Sequence, residues 1–323
     1  MSFSFSCSLP RFFVVLLMKK TMKNYHFCIS GGDEILFRSE EDYIRAFNTL
    51  AITVARLGGK LAADAIMSTH IHVCVRTNDI RSIVSQFWRS YTRYFNYKYR
   101  RKGTLGGSPY VVEIEGFYHW LAAICYVLRN PVHHGVAPTP FAYRHCSANA
   151  IFRKETGKCE ITSCLPRKSY YKFLPKGQTC PAEYVMDASG VIKRETVLDL
   201  ADIEHRFVTP RAFLFYMNRL SGEEWRREQE KDQDVASTVS LEMIERNTAS
   251  QSISEMLGHE HGRSDYRTIT DIELCEFIDM QILPKYNLAS VYEVPSHIKQ
   301  TLLDHVLSVK SVKVSRAQRC LLL

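Results

Sequence analysis

The chain has ten cysteines but no C-x-x-C pair. Cys159 and Cys164 stand closest, with no second pair to complete a tetrahedral zinc set, which argues against a zinc ribbon. Thiols this scattered fit reduced cysteines in a cytoplasm better than a disulfide framework. Cys28, Cys74 and Cys125 lie in apolar runs and read as core residues. No apolar run approaches the roughly 20 residues a membrane helix needs, so no membrane partner is expected. Phe12–Met18 is too short to span. The basic Lys19-Lys20 follows it, where a signal peptide carries its charge in front, and no small-residue cleavage site comes after. The expectation is an over-extended start, with translation beginning at Met18 or Met22 and residues 1–23 outside the domain. An intact Met1 in the native protein's mass spectrum would overturn it. Internal repeats are also absent.

Acidic residues are scarce in one half only. Residues 1–165 hold 21 Lys+Arg against 11 Asp+Glu, a net +10, whereas residues 166–323 carry −2. The first half is therefore the candidate for a polyanionic partner, although charge alone equally fits a soluble basic surface.

Tyr25 to Ser30 reads as a strand, and Gly31-Gly32-Asp33 turns the chain. Ser39 is a helix N-cap followed by Glu40, Glu41 and Asp42 in the first turn. Helical spacing of apolar residues runs from Tyr43 to Leu57 and stops at Gly58-Gly59. Lys60–Met67 and His70–Arg76 make a hairpin about Ser68-Thr69. A helix follows over Ile80–Arg101, then a flexible glycine loop, a strand Tyr110–Glu115, and a helix Phe117–Arg129 ended by Asn130-Pro131. The order β-α-β-β-α-β-α predicts an α+β fold, a ferredoxin/RRM-like split βαβ sandwich: one antiparallel sheet with helices on one face.

Residues two apart on a strand share a face, so His70 and His72 stand side by side with Ile71 behind them. An isolated His-x-His pair reads first as core or surface decoration and only second as a metal site. Tyr126 and Asn130, four apart, share a helix face, and Pro131 leaves the orientation of Asn130 open. If that face meets the histidines, two imidazoles, an amide oxygen and a phenol converge, a divalent-metal site with a nucleophile beside it. Tyr-x-x-x-Asn carries little weight alone in a chain with 17 tyrosines. The second helix interleaves aromatic and basic residues. Arg89, Tyr91, Arg93, Tyr94, Asn96, Arg100, Arg101 and Lys102 are candidate DNA contacts, with Arg129 on the tyrosine helix, since aromatics stack on unpaired bases and cations neutralise phosphates. His133 and His134 read as solvated loop residues, with DNA contact as the other reading.

Four motifs occur in order: Tyr25-His26, Thr69-His70-Ile71-His72, Tyr91-Thr92-Arg93-Tyr94-Phe95-Asn96, and Tyr126-Val127-Leu128-Arg129-Asn130-Pro131-Val132. Together they resemble the single-tyrosine HUH transposases, those of the insertion-sequence-200 type and their REP-associated tyrosine transposase relatives. Asn130-Pro131-Val132 and Phe141-Ala142-Tyr143-Arg144-His145-Cys146-Ser147 look closer to the REP-associated branch. The resemblance covers residues 24–152. It implies a metal-dependent enzyme that cleaves and rejoins single-stranded DNA beside a hairpin with Mg2+ or Mn2+. The tyrosine becomes linked to the 5′ phosphate and frees a 3′ hydroxyl, without ATP. It further implies His70, His72 and Asn130 as metal ligands and Tyr126 as the nucleophile. The chain departs from the family at Ser68-Thr69, where the family has Pro-Asn before the first histidine, and at Leu105–Tyr110, where it carries Trp and an Arg-Phe pair. A domesticated, non-cleaving DNA-binding regulator is the alternative. The sequence does not choose between monomer and homodimer.

Residues 153–190 read as a linker, rich in Lys, Gly, Pro and Ser. Residues 191–323 read as helical, with segments over Arg211–Leu220, Leu241–Leu257, Asp271–Leu283 and Val294–Val309. Val314 to Leu323 is compatible with the start of a helix-turn-helix recognition helix or with an ordinary packing element. His259 and His261 read as solvated.

Overall fold

The computed structural model describes residues 21–156, 163–218 and 269–323. The expected start-site extension before residue 21, the Leu241–Leu257 helix, the end of the Arg211–Leu220 helix, and His259 and His261 lie outside the described residues. Seven elements form the first region: β1 Lys23–Ser30, α1 Glu40–Arg56, β2 Lys60–Ile66, β3 His70–Thr77, α2 Ile80–Tyr99, β4 Tyr110–Ile114 and α3 Phe117–His133. The four strands make one sheet in the order β2-β3-β1-β4, and all neighbours are antiparallel. The α1 connection passes over β3 and the α2 connection passes over β1.

The register fixes what each face of the sheet carries. His26 lies opposite Cys74, Cys28 opposite His72 and Ser30 opposite His70. Side chains directly opposed across an antiparallel pair share a face. One face therefore gathers His26, Cys28, His70 and His72, and the other gathers Phe27, Ile29, Ile71 and Val73. The Phe27 ring packs on Phe87 of α2 at 6.4 Å. The rings of His26 and His72 pack instead on Tyr126 of α3, at 6.4 and 5.3 Å. Because neighbouring strand residues point to opposite faces, α2 and α3 lie on opposite sides of the sheet. This corrects the expectation of helices on one face: each side of β1 and β3 is apolar or aromatic enough to need a cover.

Helix α1 starts at the expected cap. The Asp42 carboxylate accepts from the backbone N–H of Ser39 at 3.0 Å and of Arg38 at 2.8 Å, satisfying donors that the helix start leaves unpaired. Fully buried, Asp42 also draws in α2, accepting from the hydroxyls of Tyr94 at 3.0 Å and Tyr99 at 2.7 Å and from Lys98 Nζ at 2.8 Å. Helix α2 ends at Tyr99, where Arg100 adopts a left-handed backbone, φ +52°, two residues short of the expected Arg101.

Helix α3 runs through Asn130-Pro131 rather than ending there. A proline removes one helix donor, but in the last turn that loss is small. The carbonyl of Pro131 accepts from the N–H of Val136 at 2.9 Å and of Ala137 at 3.2 Å, and His134 N–H reaches Asn130 O. Asn130 thereby keeps helical placement one turn after Tyr126.

The expected linker is irregular in backbone yet packed. Asn48 of α1, fully buried, donates to the carbonyls of Gly190 at 2.8 Å and Phe173 at 3.2 Å and accepts from Ile192 N–H at 2.9 Å. Gly190 sits at φ +92°, and a Cβ there would come within 2.2 Å of the Phe173 ring. Tyr170, Leu174, Tyr184, Met186 and Ile192 join the core around the sheet. Prolines interrupt the periodicity of this stretch without preventing burial. Arg194 completes the strap with a buried ion pair to Asp64 at 2.8 Å.

Short helices follow: α4 Leu200–Phe207 and α5 Pro210–Asn218. The last region holds α6 Asp271–Phe277, continued by a π turn Ile278–Ile282 and a 3-10 turn Leu283–Tyr286, then α7 Ser296–Val309 and α8 Val314–Leu321. It has its own core, including Leu274, Ile278, Ile282, Leu302, Val306 and Cys320, which Ile35 enters from the first region. The fully buried Arg38 binds the two regions, donating to both oxygens of Asp279 and to the Cys320 carbonyl. Helix α8 packs one face against this core. Ala317, Cys320 and Leu321 are buried, and Arg316 and Arg319 both pair with Asp271. No described helix is long and apolar enough to cross a membrane.

Candidate active site

Strand β3 and helix α3 bring together His70, His72, Tyr126 and Asn130. His70 Nε2 lies 3.0 Å from Asn130 Oδ1, and His70 Nδ1 lies 3.1 Å from Thr69 Oγ1. The His70 and His72 rings are 5.2 Å apart. The Tyr126 ring packs edge-on against His72 at 5.3 Å and lies 5.5 Å from His133. Two further histidines complete the cluster. His26 Nε2 is 2.9 Å from His72 Nδ1, and His134 packs on His70 at 4.6 Å between ring centres. His134 is buried and His133 half-buried, which corrects their reading as solvated loop residues: the continuation of α3 past Pro131 turns them towards the sheet.

His26 stands in the Tyr25-His26 motif, but sequence reasoning gives it, like His134, no place in the site. Its signal was the period-two alternation of β1, which puts His26 and Cys28 on one face and Phe27 and Ile29 on the other. The pairing register that opposes this face to His72 is not local information.

Every imidazole of the cluster is pushed towards neutrality. Burial lowers His26 to about 3, and burial with the neighbouring His134 lowers His70 to about 3 against the opposing hydrogen bond that His70 donates to Asn130 Oδ1. His72 is lowered well below the usual range by burial and by the histidines around it. Burial, and for His133 also Arg129, takes His133 and His134 to about 4. Neutral rings keep the lone pairs that metal ligation requires.

Among the described residues, no group of three or more His, Cys, Asp and Glu side chains is placed to hold a metal ion. The donor set that the resemblance implies is two imidazoles and an amide; of these, His72 turns Nδ1 to His26 at 2.9 Å and Nε2 towards Cys28 at 3.9 Å. The set passes a geometric test at one edge. Two adjacent donors of an octahedral ion with bonds of about 2.1 Å stand about 3.0 Å apart, and His70 Nε2 and Asn130 Oδ1 are 3.0 Å apart. Moving the His70 proton to Nδ1, where Thr69 Oγ1 is in reach, leaves both of those atoms as bare acceptors facing each other. Imidazole suits Mn2+ better than Mg2+.

The residues expected to contact DNA divide into two groups. Tyr91 is fully buried, and its hydroxyl donates to the Leu36 carbonyl at 2.7 Å. It stacks in the core and cannot stack on a base. Asp42 holds Tyr94 inward, Asn96 donates to the Gly103 carbonyl, and Arg129 is buried. Arg101 is half-buried against Glu34. Arg89, Arg93, Arg100 and Lys102 are exposed, on the α2 side of the sheet, opposite Tyr126.

No family model and no curated protein matches the chain. Among solved structures, that of a REP associates tyrosine transposase bound to a REP hairpin is similar over 47% of this chain and 87% of that one, with 12% identity and a TM-score of 0.35. A likeness at that TM-score carries no argument by itself.

Proposed function

We propose that the chain is a metal-dependent, single-tyrosine DNA nuclease and strand transferase on a ferredoxin-like HUH core. It cleaves and rejoins single-stranded DNA at hairpin-flanked sites, as in DNA transposition or the processing of palindromic repeats. The observation that carries this reading is the 3.0 Å approach of Asn130 Oδ1 to His70 Nε2, with Tyr126 one helical turn before Asn130 and packed on His72. The strand order β2-β3-β1-β4 is the one a split βαβ core has. Bound by His70, His72 and Asn130, Mg2+ or Mn2+ would polarise the scissile phosphate and offset its charge.

The Tyr126 hydroxyl attacks phosphorus, forming a bond to the 5′ phosphate as the bond to the upstream 3′ oxygen breaks. The phenol proton is lost to water and the departing 3′ oxygen takes up a proton from water, so the proton count is unchanged. Attack by a 3′ hydroxyl on the phosphotyrosine reverses these changes and rejoins the strand. One phosphodiester replaces another at each step, so no ATP is consumed. A cytoplasmic setting accords with the free cysteines among the described residues, and a homodimer is compatible with the scheme.

The second reading, a non-cleaving DNA-binding regulator on the same fold, is favoured by enclosure: Tyr126 is 5% exposed and His72 fully buried. A labelled hairpin with single-stranded flanks and Mn2+ tests both. The enzyme reading requires a covalent adduct with the wild type and none with Tyr126→Phe or in EDTA. Hairpin binding that EDTA leaves unchanged, with no adduct, favours the regulator.

A further inference from the structure

Helix α2 contains no Asp or Glu, and its outer side is one continuous stripe. Arg89, Arg93 and Tyr97 are spaced four apart, so the three fall within a narrow arc of the helix, and Arg100 follows at the cap. All are exposed, and Tyr97 is 89% exposed, the most exposed large hydrophobic side chain among the described residues. Over 11 residues at 1.5 Å rise the stripe runs about 16 Å. Arg89 bonds only to the Ser85 hydroxyl, at 3.1 Å, and neither Arg89 nor Arg93 has a carboxylate partner among the described residues. Cations on a helix that supplies no anions of its own complement a polyanion.

At its C-terminal end the stripe opens into a cleft of about 620 Å3 between the α2 cap and the last region. Arg100, Arg101 and Lys102 line it together with Asp33 and Glu34; Arg101 pairs with Glu34 at 2.8 Å and Arg100 with Glu293 at 3.5 Å, and the Tyr292 ring lies under the Arg101 guanidinium at 5.6 Å. An exposed tyrosine among arginines offers a face on which only an unpaired base can stack. Paired bases hide theirs, and a lipid surface offers none.

We propose that the Arg89–Arg93–Tyr97 face of α2, running on to Arg100 at its cap, is a single-stranded DNA-binding surface. It lies on the side of the sheet opposite Tyr126 and His72, so it anchors a strand remote from the reacting phosphate. The inference rests on the reading above only in taking DNA as the partner. Its strand contacts need neither a metal ion nor the tyrosine.

The test is anisotropy of a labelled oligothymidylate over a salt series, in EDTA and on a Tyr126→Phe background, so that cleavage plays no part. Binding is expected there. Arg89→Gln with Arg93→Gln should flatten the slope of log K against log salt by about 1.4, at about 0.7 per phosphate contact on a single strand. Tyr97→Ala should weaken binding by about tenfold, within the range for loss of one stacked base. These side chains are exposed, so the melting temperature serves as the control for folding and should not move. An unchanged salt slope in the double variant overturns the proposal. So does undiminished binding by Tyr97→Ala, or the stripe variants losing affinity for phosphatidylserine vesicles while keeping it for the oligonucleotide. Failure to form an adduct in the hairpin assay, with this binding intact, would sink the nuclease reading alone.

Discussion

Acidification from pH 7 to pH 5 should strip much of the stability of the first region, because the face between the sheet and α3 is built of neutral histidines. His26, His70 and His134 are held at about 3, about 3 and about 4, against about 6.5 in an unfolded chain. The folded values are depressed, so the unfolded state binds more protons below pH 6.5, and stability falls as the pH falls through that window. Above about pH 6.5 the effect is absent. For one such histidine the change from pH 7 to pH 5 is about 2 kcal/mol, and for three it is on the order of 6 kcal/mol. That is comparable with the whole stability of many domains. His72 shifts in the same direction. Carboxylates held low by partners, such as Glu113 beside Lys23, act at lower pH and leave this window to the histidines. Urea unfolding followed by tryptophan fluorescence at half-unit steps from pH 7.5 to 5, on the scale of about 1.4 kcal/mol per proton per unit, measures it. A change below about 1 kcal/mol across the window would refute the burial argument.

Other consequences follow from the strap and its anchors. Asn48→Ala removes the partner of three backbone groups, at Phe173, Gly190 and Ile192, and should cost about 3 kcal/mol in urea unfolding. Asp64→Ala leaves Arg194, stacked over the Phe47 ring at 4.0 Å, buried without its carboxylate and should cost about 3–5 kcal/mol. An Asp64→Val, Arg194→Met double variant should recover most of this loss. Asn130→Ala should weaken Mn2+ binding in a calorimetric titration by at least about tenfold while leaving the far-UV spectrum unchanged.

Local chemistry made several features legible in the sequence. Ser39 followed by three acids marked the start of α1, and the β-branched run around His70 and His72 marked a strand whose two imidazoles share a face. The meeting of that face with Tyr126 and Asn130 was readable only as a possibility, because Pro131 obscures the helix end. The chain resolves this by carrying the helix past Pro131, whose carbonyl accepts from the N–H groups of Val136 and Ala137. The roles of the aromatic residues on α2 were not legible. Tyr91 and Tyr94 look like stacking platforms until the Leu36 carbonyl and Asp42, both distant in sequence, take their hydroxyls. Tyr97, two residues past Phe95, has no such partner among the described residues and is exposed. The 163–190 stretch lacks periodicity, yet Asn48 satisfies its backbone from a helix more than a hundred residues earlier, and no local pattern reports that.

The central claim is that Tyr126 is the nucleophile of a strand-cleaving site. The most direct measurement is peptide mass spectrometry of the protein after incubation with a hairpin bearing single-stranded flanks in Mn2+. The account predicts an oligonucleotide joined through its 5′ phosphate to the peptide containing Tyr126. A nucleotide on a different tyrosine, or unmodified Tyr126 under conditions where the hairpin is cut, would contradict it.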